Sequence, residues 1–116
     1  MIKTEGVVRG FVTLHAIAIF GQPVFAGSYL VGDYGMLALH RFGANLVFAV
    51  GLAQLLPTAW LWWRGGPRWP FLASLLLVLG ETAQYFAGMA GALDLHVPLG
   101  VALVTSAVVM LIAVWR

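Results

Sequence analysis

Along this chain, apolar runs nearly as long as a membrane is thick alternate with short stretches carrying charge, glycine and proline. Four runs stand out, at about 7–30, 38–63, 70–91 and 97–115. Each is close to, or longer than, the ~20 residues that cross ~30 Å of hydrocarbon at ~1.5 Å per residue. Between them lie a turn at Gly32-Asp33-Tyr34-Gly35, a basic and aromatic connection from Trp62 to Trp69, and a third break near Gly91. Pro23 and Pro57 fall inside runs, where a kink or a disturbed last turn is expected. Pro70 and Pro98 fall in first turns, where a missing N–H costs nothing. The pattern predicts an all-α transmembrane bundle of four helices, up-down-up-down, in one domain covering residues 1–116.

Composition agrees with this reading. The chain is 62% hydrophobic and 9% charged, with a mean hydropathy of +0.97. A water-soluble domain would have too little charge to solvate its surface. There is no cysteine, which excludes disulfides, thiolate metal sites and haem attached through Cys-x-x-Cys-His. The net charge of +2 is small and scattered, so nucleic acid is not an expected partner; the lipid bilayer is. Lys3 and Arg9 before an apolar run, with Val24-Phe25-Ala26 after it, resemble a cleavable signal. The run is long for a signal peptide, and we read it as a helix that is kept. With four alternating helices, Lys3, Arg9, Arg64, Arg68 and Arg116 share one side and Arg41 alone takes the other. The positive-inside rule then puts both termini in the cytoplasm and the chain in the cell membrane. Trp60, Trp62, Trp63, Trp69 and Trp115 gather on that cytoplasmic side, as interfacial anchors do.

The candidate chemistry is a pair of histidines. Segment two opens Leu39-His40-Arg41-Phe42-Gly43-Ala44 and segment four opens Leu95-His96-Val97-Pro98-Leu99-Gly100. No repeat is convincing beyond this shared opening. Segments two and four run parallel and lie on a diagonal, so His40 and His96, both in first turns, face each other at one depth near the outer side. Neighbouring axes ~8–10 Å apart give a diagonal of about 13 Å. Two imidazoles with iron between them need more, so the outer end is expected to splay. Gly43, Ala44 and Gly100 follow the histidines by three or four residues and leave bare patches where a flat macrocycle can approach. Imidazole is a good haem ligand, and no Met or Cys competes for the position. The expectation is one haem b per chain, with His40 and His96 as metal ligands. Arg41, Ser28 and Tyr29 lie near the outer interface as partners for its propionates. Two plainer accounts stay open. A histidine at a helix end is an ordinary interfacial residue and its glycines serve packing; and the same histidines with Asp33 or Asp94 suit zinc or copper.

The histidine placements in Leu39-His40-Arg41 and Leu95-His96 resemble those of membrane haem proteins of the haem A synthase type, related to membrane cytochromes b. There a four-helix unit holds b-type haem between histidines of its second and fourth helices. The resemblance implies that His40 and His96 are axial ligands. This chain has one four-helix unit where that enzyme has two, so synthase activity does not carry over. Ala26-Gly27-Ser28-Tyr29-Leu30-Val31-Gly32-Asp33 and His96-Val97-Pro98-Leu99-Gly100 are similar to motifs of small four-helix actinobacterial membrane proteins of unsettled function. That likeness extends over nearly the whole chain.

Polar residues also interrupt the apolar runs. Glu81 lies near the middle of segment three, where a carboxylate costs a few kcal/mol unless paired or protonated. Gln84 shares its face. His15 sits about two turns into segment one, Gln22 deeper, and Gln54 in segment two. On these boundaries Glu81 is about a turn and a half deeper than His15, and contact between them requires tilt. They read as polar glue between helices, or as a proton path. Glu81 and Gln84 would also surround a haem bound on this face, outside its direct ligands.

Bis-histidine iron keeps no open position for substrate. The reading therefore favours one-electron transfer, with a quinone or a redox partner protein, or haem handling, over an enzyme acting alone. No hydrolytic triad, phosphate loop or zinc-hydrolase motif is present. The alternatives are a cofactor-free accessory subunit and a proton or solute conduit through His15 and Glu81. The accessory subunit would pack against itself or a larger complex through Gly80, Gly88 and Gly91.

Overall fold

The computed structural model describes residues 3–116 and contains four helices and no strand among them. They are α1 (Thr4–Leu30), α2 (Met36–Trp63), α3 (Trp69–Met89) and α4 (Leu93–Trp115). All four are long and apolar enough to cross a membrane, and the chain is an all-α bundle of multi-pass membrane type.

Five boundaries differ from the sequence expectation; α2 starts two residues early, at Met36, and α3 one early, at Trp69. Helix α1 begins at Thr4 rather than near Val7, with Glu5 in its first turn, where a carboxylate favours the positive end of the helix dipole. Helix α3 stops at Met89 because Gly91 takes a left-handed φ of 69° that turns the chain. Helix α4 then starts at Leu93, nucleated by His96 N–H donating to the Ala92 carbonyl at 2.8 Å. Pro98 therefore sits in the second turn, not the first. There its missing donor leaves only the Asp94 carbonyl, at an exposed helix end, without its usual partner. Helices α1 and α2 run unbroken through Pro23 and Pro57.

Neighbours in sequence are neighbours in space. Helix α1 packs on α2, α2 on α3, α3 on α4, and α4 closes the ring on α1, while both diagonals are left without backbone contact. The bundle measures 48 × 24 × 21 Å. Val8, Val12, Leu77, Leu103 and Met110 form one buried cluster; Ala16, Ile19, Val47 and Ala107 form another. Large apolar side chains such as Leu14, Ile17, Phe20, Leu56, Leu76, Phe86 and Val109 point outward instead. Lipid solvates such side chains as well as a protein core does, so close packing and internal polar contacts have to hold the helices together. Gly80 illustrates the packing: a Cβ there would lie 2.8 Å from Leu103 Cδ2.

The end that carries both termini is tied by Arg9, whose Nε–H donates to the Val114 carbonyl at 2.7 Å. The same guanidinium lies over the Trp115 ring, and Trp115 Nε1–H donates to Thr13 Oγ1 at 3.0 Å. Further in, Gln54, Thr58 and Ser74 are fully buried. Gln54 Nε2–H donates to Ser74 Oγ at 2.8 Å, and Ser74 Oγ–H to the Pro70 carbonyl. Their donors are all paired, the Thr58 hydroxyl with the Gln54 carbonyl of its own helix, while Gln54 Oε1 accepts no hydrogen bond.

Candidate functional site

In the half of the bundle away from the termini lies a half-open cavity of about 470 Å³ lined by all four helices. Its walls are chiefly apolar, with Ile19, Leu30, Val47, Phe48 and Val104 among them; the polar residues reaching it include Gln22, His40, Glu81, Gln84 and His96. An apolar pocket of roughly 300–1,000 Å³ with a few convergent polar groups is the usual form of a small-molecule or cofactor site.

His40 and His96 stand across the diagonal between α2 and α4. Their ring centres are 6.1 Å apart and their planes 78° from parallel. Each ring is held by the neighbouring helix of its own hairpin. His40 Nδ1 lies 3.1 Å from the Gln22 carbonyl, and His96 Nδ1 lies 3.0 Å from the Gln84 carbonyl. A carbonyl only accepts, so in both rings Nδ1 carries the proton and Nε2 keeps its lone pair. The hydrogen bonds of both rings are made through Nδ1 alone.

The two hairpins solve this problem in parallel. Gln22 and Gln84 each provide the carbonyl, and four residues on stands a small residue, Ala26 or Gly88, that leaves the carbonyl open from the side. At Gly88 the fit is close: a Cβ would lie 2.8 Å from His96 Cε1 and 3.0 Å from Nδ1. The glutamine side chains then turn into the glycines that follow the histidines. A Cβ on Gly43 would collide with Gln22 Oε1, and one on Gly100 would lie 2.8 Å from Gln84 Nε2. Gln22 Nε2–H also donates to the His40 carbonyl at 2.8 Å. So Gly43 and Gly100 are not bare patches open to a macrocycle. Their empty sides are filled by Gln22 and Gln84, which thereby lock the registers of α1 on α2 and α3 on α4.

Nearer the middle of the bundle a second side-chain bridge crosses the other diagonal. His15 Nε2 on α1 and Glu81 Oε1 on α3 are 2.5 Å apart, with His15 1% and Glu81 6% exposed. The ring and carboxylate meet off-line: Nε2 and both carboxylate oxygens lack a well-directed hydrogen bond. Direct contact does not require the tilt expected from the sequence. His15 lies eleven residues from Thr4 and Glu81 twelve from Trp69, which at ~1.5 Å per residue places them at nearly one depth. Gly51 on α2 makes room for both, since a Cβ there would lie 2.8 Å from Glu81 Oε2 and 3.0 Å from His15 Nε2.

The cavity brings together His40, His96, Ala44, Gly100, Glu81 and Gln84 of the residues expected from sequence. Arg41, Ser28 and Tyr29 do not line it. Arg41 follows His40 by one residue, a rotation of about 100°, and is exposed. The Ser28 hydroxyl donates to the Val24 carbonyl, and Tyr29 packs edge-on against Tyr34. No group of three or more His, Cys, Asp or Glu able to hold a metal ion occurs among the described residues. A zinc or copper set completed by Asp33 or Asp94 is therefore not assembled. Sequence reasoning did not assign Gln22, Gly88 and Gly51 to the site. Their available signal was two glutamines in apolar runs, each followed four residues later by a small residue.

No protein-family model matches this chain, and neither do curated proteins or solved structures.

Proposed function

We propose that the protein is an integral membrane b-type haem protein that holds one iron between His40 and His96 and carries single electrons. The observation that carries the reading is two imidazoles on a bundle diagonal, both with Nδ1 fixed on a carbonyl and Nε2 left as a base. Their spacing supports it. His40 and His96 would hold a metal through Nε2 at the about 2.0–2.1 Å usual for imidazole, each nitrogen roughly 1.1 Å from its own ring centre, which suits ring centres about 6.2 Å apart. The rings here are 6.1 Å apart. A carbonyl on the far nitrogen is the usual outer-sphere partner of a metal-bound histidine, fixing its tautomer and orientation.

Two protein ligands without a third His, Cys, Asp or Glu suit a metal whose remaining ligands come from a macrocycle. When bound, haem supplies reversible one-electron chemistry of its iron. The chain's own part is to present the two bases, keep them from turning, and exclude water with an apolar cavity. Two strong ligands leave no open position, which favours electron exchange with a quinone or a partner redox protein, or haem handling, over substrate chemistry. The basic residues and tryptophans at the end with the termini support a cytoplasmic placement of both termini in the cell membrane.

The absorption spectrum of protein purified from a haem-replete host tests this. The expected result is a Soret band that sharpens on reduction and is lost in His40→Ala and in His96→Ala. The competing account is an aromatic contact between two interfacial histidines, and it leaves the purified protein colourless.

A further inference from the structure

The proposed haem site does not use the bridge between His15 and Glu81, yet Glu81 lines the same cavity as His40 and His96. The elements packed around the pair provide no other titratable group at its level. Helix α2 presents Gly51 there, its own titratable residues His40 and Arg41 being at the far end. Helix α4 carries Asp94 and His96 in its first turn and none deeper before Arg116 follows its end. On α1 the nearest is Arg9, committed to Val114 and Trp115. On α3 it is Tyr85, one turn outward on the cavity wall. The pair therefore carries the ionisable chemistry of the bundle's middle.

The surroundings are also short of donors. Both oxygens of Glu81, Gln22 Oε1 and Gln84 Oε1 are buried and accept no hydrogen bond. A buried acceptor left without a donor is destabilising. These acceptors lie on α1 and α3, and at Glu81 the buried contact with His15 makes a place that a proton occupies favourably. Ordered water can relay it between the oxygens.

We infer that the Glu81–His15 pair is a proton-binding site coupled to the electron at the iron, an inference that rests on the haem reading. With haem bound, an added electron would lower the positive charge of this apolar site, and a proton held nearby by the pair would restore the balance. The pair would take up one proton from water when the haem-loaded protein gains one electron from a quinol or a reduced partner protein. It returns that proton to water when the electron passes to a one-electron acceptor. The added proton would be held between Glu81 Oε1 and His15 Nε2, which are already in contact. Gly51 keeps both groups within contact.

The test is a spectroelectrochemical titration of the haem-loaded protein at a series of pH values, with infrared difference spectra between the oxidised and reduced forms. Coupling of one proton to one electron lowers the midpoint potential by up to about 59 mV for each tenfold fall in proton concentration. The expected result is that slope in the natural protein, together with a redox-linked carboxyl band. Both should be absent in Glu81→Gln. A natural protein whose potential ignores pH overturns the inference, and so does a slope that persists in Glu81→Gln. If Glu81→Gln does not assemble, His15→Gln serves instead: it removes the pair's second base, and an unchanged slope and pH window overturn the inference. Protein with no Soret band refutes the haem reading itself, and this inference with it. Haem-loaded protein with a flat potential refutes the proton coupling alone.

Discussion

Gly88→Ala is the most specific perturbation of the histidine cradle, because it touches neither a ligand nor a charge. The added Cβ would lie 2.8 Å from His96 Cε1, short of an ordinary 3.4 Å contact by 0.6 Å. The α3 backbone cannot yield by that amount without losing packing on α4, so the ring moves. Moving it by that distance stretches the Nδ1–H bond to the Gln84 carbonyl from 3.0 Å to about 3.6 Å, where it is no longer a hydrogen bond. Overpacking costs about 1–3 kcal/mol and the lost bond roughly 1 kcal/mol more. Removing the partner that orients a metal-bound histidine typically lowers affinity for the metal group by about 10–100-fold. The assay is a haem titration of the apo-protein in detergent, followed by Soret absorbance, with a thermal melt alongside. Gly88→Ala should bind about 10–100-fold more weakly, with a spectrum altered from that of the natural protein. Gly10→Ala, at a glycine with nothing within 4 Å, should match the natural protein in both measurements. Equal affinity in Gly88→Ala, or an equal loss in Gly10→Ala, refutes the cradle.

Two further substitutions test how the helices are held in register. Gly43→Ala should lower the melting temperature in detergent, because the new methyl meets Gln22 Oε1. Adding Gln22→Ala should restore part of the loss, and strict additivity within about 0.5 kcal/mol would show that the two do not interact. Glu81→Ala should be destabilising, by about 1–3 kcal/mol, because it leaves the buried His15 ring without its polar partner. The double variant Glu81→Ala/His15→Ala should cost less than the sum of the single changes, as measured by unfolding in mixed detergent.

The four helices and the histidine pair were legible in the sequence because both are set locally. An apolar run of membrane length has to be a helix, since only a helix satisfies its own backbone in lipid. His40 is the fifth residue of α2 and His96 the fourth of α4, and short connections make helix direction alternate, so their nearly shared depth and diagonal follow from counting residues. The meeting of His15 and Glu81 was less legible, because it depends on where α1 and α3 begin. Moving the start of α1 from Val7 to Thr4 brings the two to one level.

The chain's own pattern determined that this is a four-helix membrane bundle with two imidazoles at one end and an acid near its middle. The tertiary structure decided what those groups do with their hydrogen bonds. Helix rotation chose the carbonyls of Gln22 and Gln84 as the partners of Nδ1, and so the tautomer of both rings. It also filled the sides of Gly43 and Gly100 with glutamine, and it turned Arg41, Ser28 and Tyr29 away from the cavity. The physical reason is that hydrophobic periodicity specifies a face only loosely when lipid and core are equally apolar. The contacts of small and polar side chains between helices set the rotation and register instead.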